Sequence, residues 1–238
     1  IEVTGDDELG RLAASFNQML AALERSIGAQ RSLVADASHE LRTPLTSLRT
    51  NIETLERVDE LPADERGRLL DDVSSELVEL SRLVDDVVEL AREGSDRTEG
   101  FEDVRLDELV EAAVARAHRR AREVEFTLDL EPTIVLGAPE RLDRAVSNLL
   151  DNAVKWSTNG GGVEVEVRNG AVTVRDHGPG IAAEDLPRIF DRFYRATAAR
   201  GMPGSGLGLA IAKQVVELHG GSVSAANADG GGAELQLS

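Results

Sequence analysis

In the stretch Val34-Ala35-Asp36-Ala37-Ser38-His39-Glu40-Leu41-Arg42-Thr43-Pro44-Leu45, apolar Val34, Ala37 and Leu41 stand three and four residues apart. The same steps run back through Leu9, Leu12, Phe16, Leu20, Leu23 and Ile27, and forward through Leu48, Ile52 and Leu55. Such spacing makes one narrow apolar stripe on a long helix, the pattern of a coiled-coil seam. The stripe weakens at Gly28-Ala29-Gln30, which predicts a junction between two modules. A second run follows at Leu69, Val73, Leu77, Leu80, Val84, Val87 and Ala91. The intervening Asp59-Glu60-Leu61-Pro62-Ala63-Asp64 predicts a turn, with proline near the start of the next helix. The result is an antiparallel all-α helical hairpin. A seam this narrow is not covered within one hairpin, so a homodimer closing a four-helix bundle is the expected completion.

With Val34 and Leu41 taken as successive inward positions, His39 points outward to solvent. A lone outward histidine is an ordinary surface residue, and its neighbours give it more. Neutral imidazole is a nucleophile near neutral pH, and Glu40 beside it can orient the ring or accept its proton. Pro44, one turn further on, removes a backbone donor and predicts a kink.

Residues 93–100, Glu-Gly-Ser-Asp-Arg-Thr-Glu-Gly, break the pattern and predict a linker. Beyond them the texture changes. Helices are predicted at 106–119, 139–156, 183–193 and 207–219, and strands at 124–130, 133–136, 163–167, 172–176, 222–226 and 234–237. The alternation of Val with Glu over 163–167 suits a strand covered on one side. Together these elements describe an α+β sandwich, one mixed sheet with helices on one face.

The chain has 238 residues, a formal net charge of −18 and no cysteine. That charge argues against a nucleic-acid partner, whose binding rests on clustered Lys and Arg, and against an anionic membrane surface. A small nucleotide remains possible, because it needs only a local set of donors. No stretch approaches the ~18 apolar residues of a membrane helix. The start at Ile1 suggests a fragment, with any membrane anchor in a missing N-terminal part.

Three further segments carry chemistry. On a helix over 139–156, Asn148, Asn152 and Lys155 fall at i, i+4 and i+7 on one polar face, and Leu142, Ala145, Leu149 and Ala153 on a different, apolar one. Amide oxygens suit Mg2+, an ammonium suits a phosphate, and Trp156 offers a stacking surface. Asp176-His177-Gly178-Pro179-Gly180-Ile181 ends a strand with a carboxylate that can accept from an exocyclic amine. Gly204-Ser205-Gly206-Leu207-Gly208 opens a helix whose free amides suit phosphates. It has neither the Walker Gly-Lys-Ser/Thr nor the Rossmann βαβ setting.

In this order and spacing, the segments resemble the motifs of the two-component sensor histidine kinases. Ser38–Leu45 is similar to their H box, Asn148–Trp156 to the N box, Asp176–Gly180 to G1, Phe190–Arg195 to the F box and Gly204–Gly208 to G2. Gly5-Asp6-Asp7-Glu8-Leu9-Gly10 resembles part of a HAMP linker. The resemblance implies four segments: HAMP-like helix 1–27, phosphotransfer hairpin 28–95, linker 96–102, and a catalytic domain 103–238 of the Bergerat (GHKL) ATP-binding fold.

It also implies an activity and a set of roles. The enzyme would use ATP and Mg2+ to phosphorylate His39, then pass the phosphoryl group to an aspartate on a response-regulator receiver domain. Glu40 would be the base and Thr43 the position tied to dephosphorylating the partner. Asn152, helped by Asn148, would hold Mg2+. Lys155 and Arg195 would contact phosphates, and Trp156 and Asp176 the adenine, with Gly178 and Gly180 shaping its loop. Tyr194 would lie by the ribose or phosphates. Gly204, Ser205, Gly206, Leu207 and Gly208 would line the phosphate side of a lid over 196–203, with Arg200 a further phosphate contact. His177 stands where the family usually has Asn and receives no direct role. The implied setting is the cytoplasmic portion of a bacterial membrane protein. A GHKL ATPase without phosphoprotein, a dimerising scaffold and a phosphatase-dominant family member are the alternatives.

Overall fold

The computed structural model describes residues 8–55, 62–91, 100–157, 161–199, 202 and 204–238. The chain divides into two compact units, Ile1–Val87 and Val88–Ser238. Residues 59–61 of the expected turn, 93–99 of the expected linker, 5–7 of the HAMP-like motif and Arg200 lie outside the described residues.

The first unit is built on two long helices, α1 (Glu8–Leu55) and α2 (Ala63–Ala91). Through Gly28-Ala29-Gln30, the expected junction between modules, α1 runs as one unbroken helix. One internal glycine costs about 1 kcal/mol, which a helix of this length absorbs. The helix also continues through Pro44, where only one intrahelical donor is lost. The apolar stripe divides in two. Leu33, Ala37, Leu48 and, on α2, Leu83 are buried, with Leu41 half-buried. Val34, expected to face inward, is 61% exposed, and Leu45, Ile52, Leu70 and Leu77 are exposed with it. Part of the stripe is thus covered within one chain and part is open. The Ser47 hydroxyl donates to Glu76 at 2.8 Å, tying α1 to α2.

The second unit has a five-stranded mixed sheet in the order β2-β4-β5-β7-β6: β2 (Phe126–Leu130), β4 (Val163–Arg168), β5 (Ala171–Asp176), β6 (Val223–Asn227) and β7 (Ala233–Leu237). Only β2 and β4 are parallel. Val163, Val165 and Val167 on β4 are buried, as are Val172 and Val174 on β5 and Leu235 and Leu237 on β7. Burying each such side chain is worth about 1.5–3 kcal/mol. This face is covered by α3 (Leu106–Arg120), α4 (Pro139–Trp156) and α5 (Gly208–Leu218). Asp176 continues the inward row of β5, so its carboxylate stands at the end of an apolar line.

Two features depart from the expected elements. The strand β3 (Ile134–Gly137) does not join the main sheet; it pairs antiparallel with β1 (Glu102–Arg105), an element the sequence pattern does not announce. Three of the four β1 residues are charged and only Val104 is buried, so no alternation marks it. The helix predicted over 183–193 is reduced to a 3-10 turn at Leu186–Arg188. Pro187 removes a helical donor there. Three-residue bonds take over, from Arg188 to Asp185, Asp191 to Arg188 and Tyr194 to Asp191.

Candidate functional site

In the first unit, His39 is exposed on α1. It lines an open hollow with Arg42, Thr43, Thr46, Ser47, Thr50 and Asn51. These positions follow helical steps of three and four, so Thr43 shares the face of His39. Glu40 is exposed but, one residue on, turns about 100° away and is not in that lining.

In the second unit, four segments meet beside α4. Proline at the first turn starts this helix, and Ala145, Val146, Leu149, Leu150 and Ala153 bury its apolar face. An adjoining, half-buried face carries Asn148, Asn152 and Lys155. Asn148 lies against the start of α5, its Oδ1 3.4 Å from the position a Cβ on Gly208 would take. Its Nδ2 is buried without a hydrogen-bond partner, and an unmade bond at a buried donor costs about 1–3 kcal/mol. Asn152 is half-buried. The Lys155 ammonium comes beside Gly204 of the glycine-rich loop, 3.3 Å from where a Cβ would stand. The helix α5 begins with no side-chain cap, so its first backbone donors face outward from the helix end. Leu207 is fully buried, backbone included.

The loop after β5 meets the end of α4. A Cβ on Gly178 would lie 2.6 Å from the Trp156 carbonyl oxygen, so only glycine allows this approach. Asp176 is 3% exposed, and its Oδ1 accepts the backbone N–H groups of Gly178 at 2.8 Å and Ala233 at 3.2 Å. Both bonds fall on one oxygen. His177 is engaged elsewhere, its Nδ1 donating to the Gly162 carbonyl at 3.1 Å and its Nε2 lying 3.2 Å from Glu164.

The segment before α5 closes on itself. Gly206 has φ +74°, and a Cβ there would meet the Phe193 carbonyl carbon and the Tyr194 oxygen, both at 2.8 Å. Ser205 accepts the Leu207 N–H on its hydroxyl at 3.3 Å. Tyr194 does not present a free hydroxyl: it donates to Asp185 at 2.5 Å, with the Arg188 guanidinium 4.4 Å over its ring. The bond to Asp185, then partial burial, raises its phenol above the usual 10.0. Arg195 likewise is turned onto its own loop, donating to the carbonyls of Ala199, at 2.6 Å, and Met202, while its Nε is buried without a partner.

The donors fit a nucleotide: an orphaned amide at Asn148, an ammonium at Lys155 and an uncapped helix start lie on adjoining elements. Among the described residues no cluster of His, Cys, Asp and Glu is placed to hold a metal. A cation at Asn148 and Asn152 would therefore need phosphate oxygens to complete its shell, which suits Mg2+ arriving with a nucleotide.

Family models match along the chain: the HAMP domain over residues 1–25, the His Kinase A phospho-acceptor domain over 29–96, and the histidine kinase-, DNA gyrase B- and HSP90-like ATPase over 137–238. A solved mycobacterial sensor histidine kinase, MprB, is 38% identical; the match covers 57% of this chain and 94% of that one, with a TM-score of 0.52. The chain belongs to the sensor histidine kinases. Among curated relatives, the signal transduction histidine-protein kinase/phosphatase MprB of Mycolicibacterium smegmatis is 48% identical over 233 residues, 94% of this chain and 47% of the relative. That of Mycobacterium avium is 48% identical over 231 residues, 93% and 44%. This sensor histidine kinase chain thus spans about half the length of the curated relatives it matches. The Acinetobacter baumannii histidine kinase AdeS, 25% identical, superposes with a TM-score of 0.62 over 84% of this chain and 97% of its own. Full-length ShkA, solved in complex with AMPPNP, is 29% identical with a TM-score of 0.60, over 87% and 45%. Among the described residues no helix is long and apolar enough to cross a membrane.

The sequence motifs omit Asn227 and Ala233, whose bonds reach the loop at Asp176–Ile181. The turn signal Asp229-Gly230-Gly231-Gly232 between the last two strands marks a hairpin there, though nothing in it names the loop it touches.

Proposed function

We propose that this chain is the kinase core of a two-component sensor protein, which uses Mg-ATP to phosphorylate His39 and then passes the phosphoryl group to an aspartate of a response regulator. The orphaned Asn148 donor beside the uncapped start of α5 carries the reading, since it leaves a buried cost that a phosphate oxygen repays. The AMPPNP named with ShkA supports a nucleotide of this class. Residues 28–95 serve as the phosphotransfer hairpin and 103–238 as the catalytic domain. The open apolar stripe at Val34, Leu45, Ile52 and Leu77 supports a homodimer completing a four-helix bundle. The HAMP match supports a membrane-anchored sensor with this part on the cytoplasmic side.

The roles follow from the donors. Lys155 and the backbone amides at Gly204, Ser205, Gly206 and Gly208 bind phosphate oxygens and offset charge that grows in the transition state, and the Leu207 amide joins them only after leaving the Ser205 hydroxyl. Asp176 accepts from the adenine amine, Gly178 and Gly180 let the backbone close on the base, and Trp156 flanks it. Asn152 and Asn148 would hold Mg2+, which supplies charge neutralisation on the phosphates. The neutral ring of His39 forms a nitrogen–phosphorus bond to the γ-phosphorus, the bond from that phosphorus to the bridging oxygen breaks, and ADP leaves with the electron pair. The ring proton passes to Glu40. Arg195 reaches a phosphate only after letting go of Ala199 and Met202. Thr43, on the His39 face, serves removal of the partner's phosphoryl group by water, in keeping with the word phosphatase in the name of the MprB relatives.

Incubation of the chain with Mg2+ and γ-labelled ATP tests this. The expected product is a phosphoprotein stable in base and lost in acid, absent from His39→Gln. Label in that variant would move the acceptor elsewhere.

A further inference from the structure

The loop at Asp176–Ile181 is gripped from outside the motifs. Asn227, the last residue of β6, faces the Ile181 peptide with its side-chain amide. Its Oδ1 accepts the Ile181 N–H at 2.7 Å and its Nδ2 donates to the Ile181 carbonyl at 2.8 Å. The amide therefore pairs with the loop as one more strand residue would. The turn that follows closes on the other end of the loop. The Ala233 N–H binds the Asp176 carboxylate, and a Cβ on Gly232 would fall 1.8 Å from the Asp176 carbonyl oxygen. One hairpin thus holds both ends of a six-residue loop. Between the grips, a Cβ on Gly180 would stand 2.7 Å from the Asn227 Oδ1.

We infer that Asn227 is a positioning residue for recognition of the nucleotide base, fixing the loop after β5 so that Asp176 meets an exocyclic amine. This rests on the reading of Asp176 as the adenine acceptor. Asn227 itself touches no reacting atom. Exposed hydrogen bonds usually contribute little, but here two act on one peptide of a loop whose other residues include glycines and a proline. Freed at Ile181, the loop samples other conformations and the carboxylate loses its fixed aim.

The test compares affinities for ATP and for inosine triphosphate, whose base carries a carbonyl where adenine carries the amine, in the full chain with Mg2+. The wild-type chain should prefer ATP. Asn227→Ala should weaken ATP about five- to tenfold, the worth of one or two net hydrogen bonds, and inosine triphosphate less than about twofold, so that the preference shrinks. Asn227→Asp keeps the acceptor and the volume but sets a carboxylate against the Ile181 carbonyl; it should shrink the preference too, and stands in if the alanine variant does not fold. Equal losses for both nucleotides, or none, overturn the proposal, because a merely structural residue would leave the ratio unmoved. Asp176→Asn is the control. If it collapses the preference while the Asn227 variants keep it, the clamp alone fails. If the wild type shows no preference, or Asp176→Asn retains it, the reading of the base site fails and the clamp with it.

Discussion

The Nε2 of His219 accepts the backbone N–H of Ala138 at 3.0 Å, pinning the end of α5 to the start of α4. The other ring nitrogen, Nδ1, lies 2.7 Å from the Val215 carbonyl, which can only accept, so the ring proton sits on Nδ1. Phe101 stacks on the imidazole, with ring centres 4.6 Å apart and planes within 6°. The two helices so joined are those bearing the polar face at Asn148 and the uncapped glycine start. His219→Ala removes the acceptor and half of the stack. We expect it to destabilise the second unit by about 1–3 kcal/mol, read as a fall in the urea midpoint, with ATP affinity falling alongside. An unchanged midpoint would show that this joint carries no weight.

Asp107 makes stability depend on pH. It is 8% exposed, binds Arg105 through both carboxylate oxygens at 3.0 and 2.7 Å, and accepts the Thr133 N–H at 3.2 Å. The Arg105 bond above all holds its carboxyl well below the ordinary 3.8, against the opposing effect of burial. A carboxylate depressed in the folded state contributes stability that is complete above its unfolded value and is lost as pH falls towards its folded value. Urea unfolding at neutral pH should therefore find Asp107→Asn less stable than the wild type. The gap should narrow progressively once the pH drops below 3.8. A gap independent of pH would mean that the charge is not what matters.

Much of this architecture is legible in the residues because it is periodic. Asn148, Asn152 and Lys155 share a face by helical arithmetic, and Val163, Val165 and Val167 share one by strand arithmetic; neither needs knowledge of distant segments. What escapes is whatever depends on non-local partners or on short, aperiodic chain. The Asn227 grip on Ile181 spans 46 residues and leaves no local trace. Strand β1 has one buried residue in four, too few to show alternation. The helix expected over 183–193 has acceptable apolar spacing, but Pro187 and the positive φ of Phe193, 59°, favour successive turns instead. Arg195 is a cation next to a glycine-rich loop, yet its reach onto the Ala199 and Met202 carbonyls is a conformational choice that composition does not encode.

Gly206 offers a sharper test of the loop into α5. Its φ of +74° is costly for any residue with a side chain, and a Cβ would press on the Phe193–Tyr194 backbone at 2.8 Å. Neither neighbour is a flexible side-chain end that swings away. Gly206→Ala should displace this crossing and with it the amides at Gly208 and the neighbouring turn. The strain alone is about 1–3 kcal/mol, so ATP affinity in a calorimetric titration should drop about tenfold or more. Retained affinity would show that these amides do not hold phosphate.

Tyr194 is the single tyrosine of the chain, which makes its phenol directly observable. The hydroxyl donates to Asp185 at 2.5 Å, and ionising it would lose that bond and set an anion against a carboxylate. The midpoint of phenolate absorbance against pH should therefore lie above 10.0, and Asp185→Asn should bring it down towards that value. Removing the acceptor altogether, with Asp185→Ala, separates two roles for the ring. If Tyr194 acts as a brace for the turn at Leu186–Arg188, Tyr194→Phe and Asp185→Ala should perturb ATP affinity by similar amounts, because each breaks the same bond. If the hydroxyl instead reaches the ribose or phosphates once nucleotide binds, Tyr194→Phe should weaken ATP binding while Asp185→Ala, which frees the hydroxyl, should strengthen it. The geometry favours the brace, since the Arg188 guanidinium covers the ring 4.4 Å from its centre and holds it in place.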